Sequence, residues 1–535
     1  LPVAAFGIHA SLWTGVEFAL AWSALGFGLF YLALASVLWN RHRDTLRLLC
    51  EAFAALGVIF ASLAIPLAFD EQATSVMWAV EGAGLLWLGV RQQRALARAF
   101  ALLLQAGSTV AFLLHGGVEF DALPLANGQF LGLMVLGAAA LLSGIWLRQL
   151  PSEPAPRDRA LAGVMVMIGT LWVAAAGVSE ATRTVPDIVV AAVLVWLSGI
   201  ALAWQSLARR LAWPLWDGLA IALMAAAAAL ALGCTSEAAT ANPSALAGWL
   251  GWPVWLAAQA RLLWRREPEG PLLAPQHLLT ALLMLALVAW ELGWQVEQLQ
   301  PQGFWAWLPG AAVLAAGLTV LSRVPLAPRW PLAAHEHSYR YGVGAVLAGT
   351  AALWLLAANL GSAGAATPLP TLPLFNPLDL ASAGLLLALA RYALRARLSE
   401  RLGLAPLLPW ALAAALVFVW LNSALVRGLH HGVGTPLFGQ GAMQSTLLQA
   451  AFSVFWSLLA FAVMWFAARR VQRLVWLLGA ALMAVVVLKL FAVDTANTGT
   501  LARIVAFFAV GGVLLVTGYL APLPPTKNTV PEPTP

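Results

Sequence analysis

The run GQFLGLMVLGAAALLSGIWLRQLPSEPAPRDRALAGVMVMIGTLWVAAAGV, residues 128–178, decides the fold class. It holds two apolar stretches, 128–148 and 160–178. Each is long enough to cross a hydrocarbon core of about 30 Å as a helix. Arg148 ends the first, and Arg157 and Arg159 lie between them in a Pro-containing polar turn. Neither stretch alternates apolar with polar residues, as a strand of a membrane barrel would. The unit is therefore a pair of membrane helices joined by a short basic turn.

Working outward from this pair gives 17 candidate spans. They lie near residues 17–39, 46–68, 74–90, 94–115, 128–148, 160–178, 187–206, 211–233, 245–264, 273–293, 304–322, 341–360, 377–397, 403–426, 443–468, 472–493 and 499–520. The composition agrees. Of 535 residues, 61% are apolar and 10% charged, against roughly a quarter charged in soluble domains. Mean hydropathy is +0.84. Such a chain cannot cover a soluble surface, which excludes a soluble enzyme, a nucleic-acid binder and a disordered protein. The expected fold is all-α, a polytopic bundle of antiparallel helix hairpins. Residues 1–16 read as an external N-terminal segment, 17–520 as one transmembrane bundle and 521–535 as a disordered Pro-rich cytoplasmic tail. A chain that begins with Leu1 reads as a fragment or processed form.

The basic residues test the span count independently. Arg41, Arg43 and Arg47 follow the first span, Arg91, Arg94 and Arg98 the third, and Arg148, Arg157 and Arg159 the fifth. The alternation continues to Lys527 after the seventeenth, so that 25 of the 29 Lys and Arg residues follow odd spans. By the positive-inside rule the N-terminus is outside and the C-terminus cytoplasmic. The net charge of +6 then reports topology, not a nucleic-acid partner. Four residues break the rule: Arg183, Arg427, Lys489 and Arg503. The two cysteines, Cys50 and Cys234, set no disulfide framework. The 26 Trp residues suit interfacial belts.

A weak internal repeat is visible. Ser75-Val-Met-Trp78, with Trp87 and Arg91 beyond it, matches Ser453-Val-Phe-Trp456, with Trp465 and Arg469. Duplication explains it, and so does any helix that enters at an aromatic belt and leaves at a basic turn.

Two segments resemble a known family. They are Trp78-Ala-Val-Glu81-Gly82 running on to Trp87-Leu-Gly-Val-Arg91, and Lys489-Leu-Phe-Ala-Val-Asp494 followed by Leu501-Ala-Arg503-Ile-Val-Ala-Phe507. Together they resemble the bacterial predicted membrane proteins grouped as domain of unknown function 2339. The resemblance implies a many-helix inner-membrane protein, with relatives that start further upstream, and it brings no agreed activity.

Ionisable groups inside spans cost about 2.5–3.5 kcal/mol at the helix centre, so each calls for a partner or a purpose. Glu81 lies inside the third span beside Gly82 and Gly84. It reads either as a proton-linked carboxylate or general base facing a cavity, or as a carboxylate tied to a neighbouring helix. Lys489, Asp494 and Arg503 flank the last connection, DTANTGT. They read as a hairpin clamp or as an anion site. Arg427, His430 and His431 read as an outer loop, R-G-L-H-H-G-V-G, with acid–base chemistry as the sharper alternative. Asp70, Glu71, Glu119 and Asp121 fall in early external loops. There they match the acidic pattern of transferases that use polyprenyl-phosphate sugars, or are simply what remains when Lys and Arg are kept inside. Further polar groups within spans are Glu51, Gln105, Asp217, Glu291 and Asn422. No P-loop, nucleotide fingerprint, hydrolase elbow or Cys/His metal box appears, so no cofactor is expected.

The leading expectation is an envelope protein of the bacterial inner membrane. It binds or moves an anionic or lipid-linked substrate, with Lys489, Asp494, Arg503 and Arg427 at the substrate and Glu81 proton-linked. The alternatives are a lipid-linked glycosyltransferase and a non-catalytic scaffold for other envelope membrane proteins.

Overall fold

The computed structural model describes residues 6, 18–42, 46–68, 71–115, 123–149, 156–237, 241–266, 272–323, 330–397, 408–437, 439–490 and 500–524. Among them, 17 long helices carry the fold. They are α1 Ala19–His42, α2 Arg47–Ala68, α3 Glu71–Arg91, α4 Ala95–His115, α5 Gly128–Arg148, α6 Pro156–Thr184, α7 Val189–Arg210, α8 Leu215–Glu237, α9 Gly248–Arg266, α10 Leu273–Leu299, α11 Leu308–Leu321, α12 Gly344–Gly361, α13 Pro377–Arg395, α14 Leu408–Val433, α15 Thr446–Arg469, α16 Arg473–Lys489 and α17 Thr500–Leu520. Each overlaps one span expected from hydropathy. No strand lies among the described residues.

Thirteen of these helices are long and apolar enough to cross a membrane, fewer than the 17 expected spans. The shortfall has a physical cause. At 1.5 Å per residue, the 14 residues of α11 reach roughly 21 Å, short of the hydrocarbon thickness. The 17 residues of α16 fall slightly short as well. α17 is a different case: it has 21 residues, and it is not counted among the 13 because only its stretch Val510–Leu520 is described throughout. In α9, Gln259, Arg261, Arg265 and Arg266 lower the hydropathy.

The chain divides into two compact units, Leu1–Gly270 and Pro271–Pro535. In the first, helices joined across basic turns pack most extensively: α1 with α2, α3 with α4, α5 with α6, and α7 with α8. Odd helices also pack on odd neighbours, α3 on α5 and α7 on α9. The second unit repeats both habits, with α15 on α16, α11 on α13 and α15 on α17. Small residues set the spacing. A Cβ built on Gly169 would lie 2.8 Å from the Gly137 carbonyl oxygen, so α5 and α6 meet backbone to backbone.

The Ser-Val-x-Trp repeat has a structural counterpart. In the first unit, Trp78 Nε1 donates to the Ser62 carbonyl of the preceding helix at 3.2 Å. The Ser75 carbonyl accepts from Ser108 of the following helix at 2.7 Å. In the second, Trp456 Nε1 donates to Asn422 Oδ1 of the preceding helix at 2.7 Å. Ser453 Oγ accepts from Lys489 of the following helix at 2.8 Å. Arg91 lies over Trp87 at 5.4 Å and Arg469 over Trp465 at 4.0 Å. Each helix thus uses its Trp backwards, its Ser forwards and its last Trp to seat the arginine of the basic turn.

Candidate functional site

The loop Leu372-Pro-Leu-Phe-Asn376 leads into α13. Pro377 presets the first helical turn, and Asn376 caps it by accepting the Asp379 N–H at 2.9 Å. Leu374 takes a left-handed φ of 67°, which turns its N–H toward Asp379. Asp379 Oδ2 accepts from Leu374 N at 3.0 Å and from Asn376 Nδ2 at 2.6 Å. Its Oδ1 accepts from Trp420 Nε1 at 3.0 Å and from the Arg427 guanidinium. Arg427 Nη2 also donates to Asn359 Oδ1 at 3.0 Å. The Asp379 and Arg427 side chains are 0% and 3% exposed. Four donors saturate the carboxylate, which is what a buried charge requires.

Beside this clamp lies a cavity of about 360 Å³. Its wall is largely apolar, with Leu360, Val426 and Phe452, and carries Asn359, Asn422, Arg427 and Gln449 as its larger polar groups. Behind that wall, Lys489 Nζ donates to the Gln449 carbonyl at 2.9 Å. Two of the four rule-breaking cations, Arg427 and Lys489, therefore belong to one corner of the second unit. A mostly apolar pocket with a few fixed polar groups suits an amphiphile better than a free ion.

Arg427, His430 and His431 are not in a loop, as expected from the sequence; they occupy the last turns of α14, which runs on to Val433. His430 Nδ1 meets the Thr435 carbonyl at 2.6 Å and His431 Nε2 the Ala363 carbonyl at 2.9 Å. A carbonyl only accepts, so these ring nitrogens carry the proton and tie down the chain around the helix end.

Glu81 is half-buried on α3 and accepts from the Ser62 hydroxyl of α2. Its partner is thus neither an arginine nor a backbone donor. Gly82 does bring α4 close, since a Cβ there would lie 2.9 Å from the Ala101 carbonyl oxygen, whereas Gly84 faces open space. Other intramembrane polar groups bond separately. Gln105 donates to Ser143 Oγ at 2.7 Å, Asp217 lies 3.7 Å from Arg266, and Glu291 accepts from Gln295 at 2.8 Å. Asp70, Glu119, Asp121 and Asp494 lie outside the described residues, as do the side chains of Glu71 and Arg503. Among the described residues no group of three or more His, Cys, Asp or Glu could hold a metal ion.

Sequence reasoning missed Asp379 and Glu180. Glu180, on α6, heads a second clamp in the first unit. Its Oε1 accepts from Leu125 N at 2.7 Å and from Arg183 Nη2 at 2.8 Å; its Oε2 accepts from Asn127 Nδ2 at 3.0 Å. Leu125 has φ 61°, and Asn127 caps α5 through the Phe130 N–H. The two loops share a sequence, Leu123-Pro-Leu-Ala-Asn127 and Leu372-Pro-Leu-Phe-Asn376. In both, the arginine comes from the C-terminal part of the next helix. That shared Leu-Pro-Leu-x-Asn pattern, next to the two arginines that break the charge rule, was the available signal.

The family pattern described as Predicted membrane protein (DUF2339) matches residues 1–524. The chain belongs to this family. The match takes in both units, both clamps and all 17 helices, and the chain is a multi-pass membrane protein. No curated protein and no solved structure matches it.

Proposed function

We propose that this family member is a binding protein of the bacterial inner membrane for an anionic or lipid-linked amphiphile. The supporting observation is the cavity of about 360 Å³ bounded by α12, α14 and α15. Leu360, Val426, Leu448 and Phe452 offer a surface for a hydrocarbon portion. Asn422 and Gln449 offer hydrogen bonds to a polar head. Arg427, held by Asp379, and the Lys489 ammonium behind Gln449 bring two cations to this corner, which suits an acidic head group. With the basic turns in the cytoplasm, the cavity opens toward the outer leaflet, and the N-terminus is periplasmic. Translocation is the extended form of the same reading, with Glu81 as its proton-linked carboxylate.

The test is native mass spectrometry of the full chain extracted from its own membrane in mild detergent. A bound amphiphile is expected as a discrete adduct. Ala442→Trp fills the cavity while replacing no clamp residue and should remove it. An absent adduct, or one indifferent to Ala442→Trp, overturns the reading.

A further inference from the structure

A second cleft in the same unit has different chemistry. It lies between α10 and α11 and closes on Val343 and Leu347, with a volume of about 390 Å³ and an almost wholly apolar wall. From Val313 to Leu321 it extends roughly 12 Å along α11 at the helical rise. Met284, Val288 and Val320 at its mouth are 43%, 43% and 40% exposed. In a membrane helix that mouth faces acyl chains.

One end of the cleft, at Leu321, Leu332 and Tyr339, meets a cluster of arginines. Arg340 Nη2 donates to the Arg323 carbonyl at 2.8 Å, and Arg391 Nε donates to Ser322 Oγ at 3.1 Å. Arg340 is buried and bonded to Glu336 at 2.8 Å. Arg323 and Arg391 are exposed, and among the described residues Glu336 is the one carboxylate bonded in this cluster. Two positive charges therefore stand free of ion pairs with described residues at the head end of a slot shaped for hydrocarbon. Tyr339 and Arg340 are themselves fixed from behind. The Tyr339 hydroxyl lies 3.1 Å from His277 Nδ1, and Tyr392 donates to the Arg340 carbonyl at 2.5 Å.

We infer that this cleft binds an anionic phospholipid, one acyl chain lying between α10 and α11 and the phosphate held by Arg323 and Arg391. The lipid comes from the leaflet on the arginine side. Hydrophobic burial alone would accept any phospholipid; the two arginines add head-group selection. The site is distinct from the cavity proposed above, because α12 separates Val343 from Asn359 by roughly 24 Å of helix.

Delipidated full-length protein should be titrated, under native mass spectrometry, with phosphatidylglycerol and phosphatidylcholine of identical acyl chains. The expected result is at least about tenfold tighter retention of one phosphatidylglycerol, a difference that two charge-assisted contacts readily supply. Arg323→Gln with Arg391→Gln should reduce it to the phosphatidylcholine level, and Arg323→Lys with Arg391→Lys should restore most of it. Val320→Trp should weaken both lipids by blocking the slot. Equal retention of the two lipids overturns the inference, and so does a Gln pair that still selects phosphatidylglycerol. Displacement of the lipid by millimolar inorganic phosphate also overturns it, since the site would then bind the anion alone. The Lys pair serves as the folding control for the Gln pair.

Discussion

Removing the charge of Asp379 is the sharpest test of the clamp. Asp379→Asn keeps the shape and leaves Arg427 buried without a counter-charge. At about 4 Å and an effective dielectric of about 20, a unit pair is worth about 4 kcal/mol. Breaking a buried pair from one side generally costs about 3–5 kcal/mol. The Asn amide also sets a donor against either Leu374 N–H and Asn376 Nδ2 or Trp420 Nε1 and Arg427. The expected loss is therefore about 4 kcal/mol. Arg427→Met should cost less, about 3 kcal/mol, because Asp379 keeps three neutral donors. With both changes the uncompensated charge disappears, and about 2 kcal/mol of the summed losses should return as coupling. The assay is reversible unfolding in mixed micelles with increasing SDS, followed by far-UV circular dichroism. Single losses that simply add, with coupling below about 0.5 kcal/mol, would refute the argument that the two charges hold each other in place.

Three further outcomes are expected in the same assay. Glu180→Gln, in the first unit, must place an amide against a donor it now satisfies, Leu125 N–H and Arg183 or Asn127, and should cost about 2 kcal/mol; an unchanged midpoint would mean that this clamp contributes nothing. Gly364→Ala adds a Cβ 2.9 Å from Arg427 Cδ at a residue with φ 66°, and should cost about 2 kcal/mol; a neutral result would show that the chain shifts there freely. Glu81→Gln keeps an acceptor for the Ser62 hydroxyl and should change stability by less than about 1 kcal/mol. A larger loss would make Glu81 a structural carboxylate and remove it from any proton-linked role.

Helix positions were legible because bilayer thickness imposes a length and an apolar run on each one, as 128–148 and 160–178 show. What hydropathy could not separate was a crossing helix from a shorter apolar one. At α11 the chain turns at Ser322 after 14 helical residues, although the apolar run starts earlier through Trp305 and Trp307. The sequence hides the end of α14 because Gly428, Gly432 and the two histidines resemble a loop, while packing and two carbonyl acceptors keep them helical. Asp379 and Glu180 were invisible for a different reason. Asp379 pairs with Arg427 across 48 residues, a separation that no local period reports; Glu180 has Arg183 three residues on, but the loop donor that completes its clamp, Leu125 N–H, is 55 residues away. Yet Arg183 and Arg427 had been singled out as exceptions to the charge rule, and each proves to be one half of a clamp. Lys489, the third exception, reaches back 36 residues to Ser453 and marks the cavity wall from behind.

The two clamps differ in one respect that matters while the chain is being made. Glu180 and Arg183 lie three residues apart on α6, so that helix brings its own neutralising partner and can leave the insertion machinery for the lipid by itself. Asp379 stands in the first turn of α13, and its arginine is 48 residues later, near the far end of α14. Released alone, α13 would take an unmatched carboxylate into the bilayer, against a penalty of up to about 3 kcal/mol. The favourable order is for α13 to wait at the exit until α14 has emerged almost completely, and for the two to partition together with Asp379 and Arg427 already paired. The placement of a single arginine thus couples the delivery of α13 to that of α14.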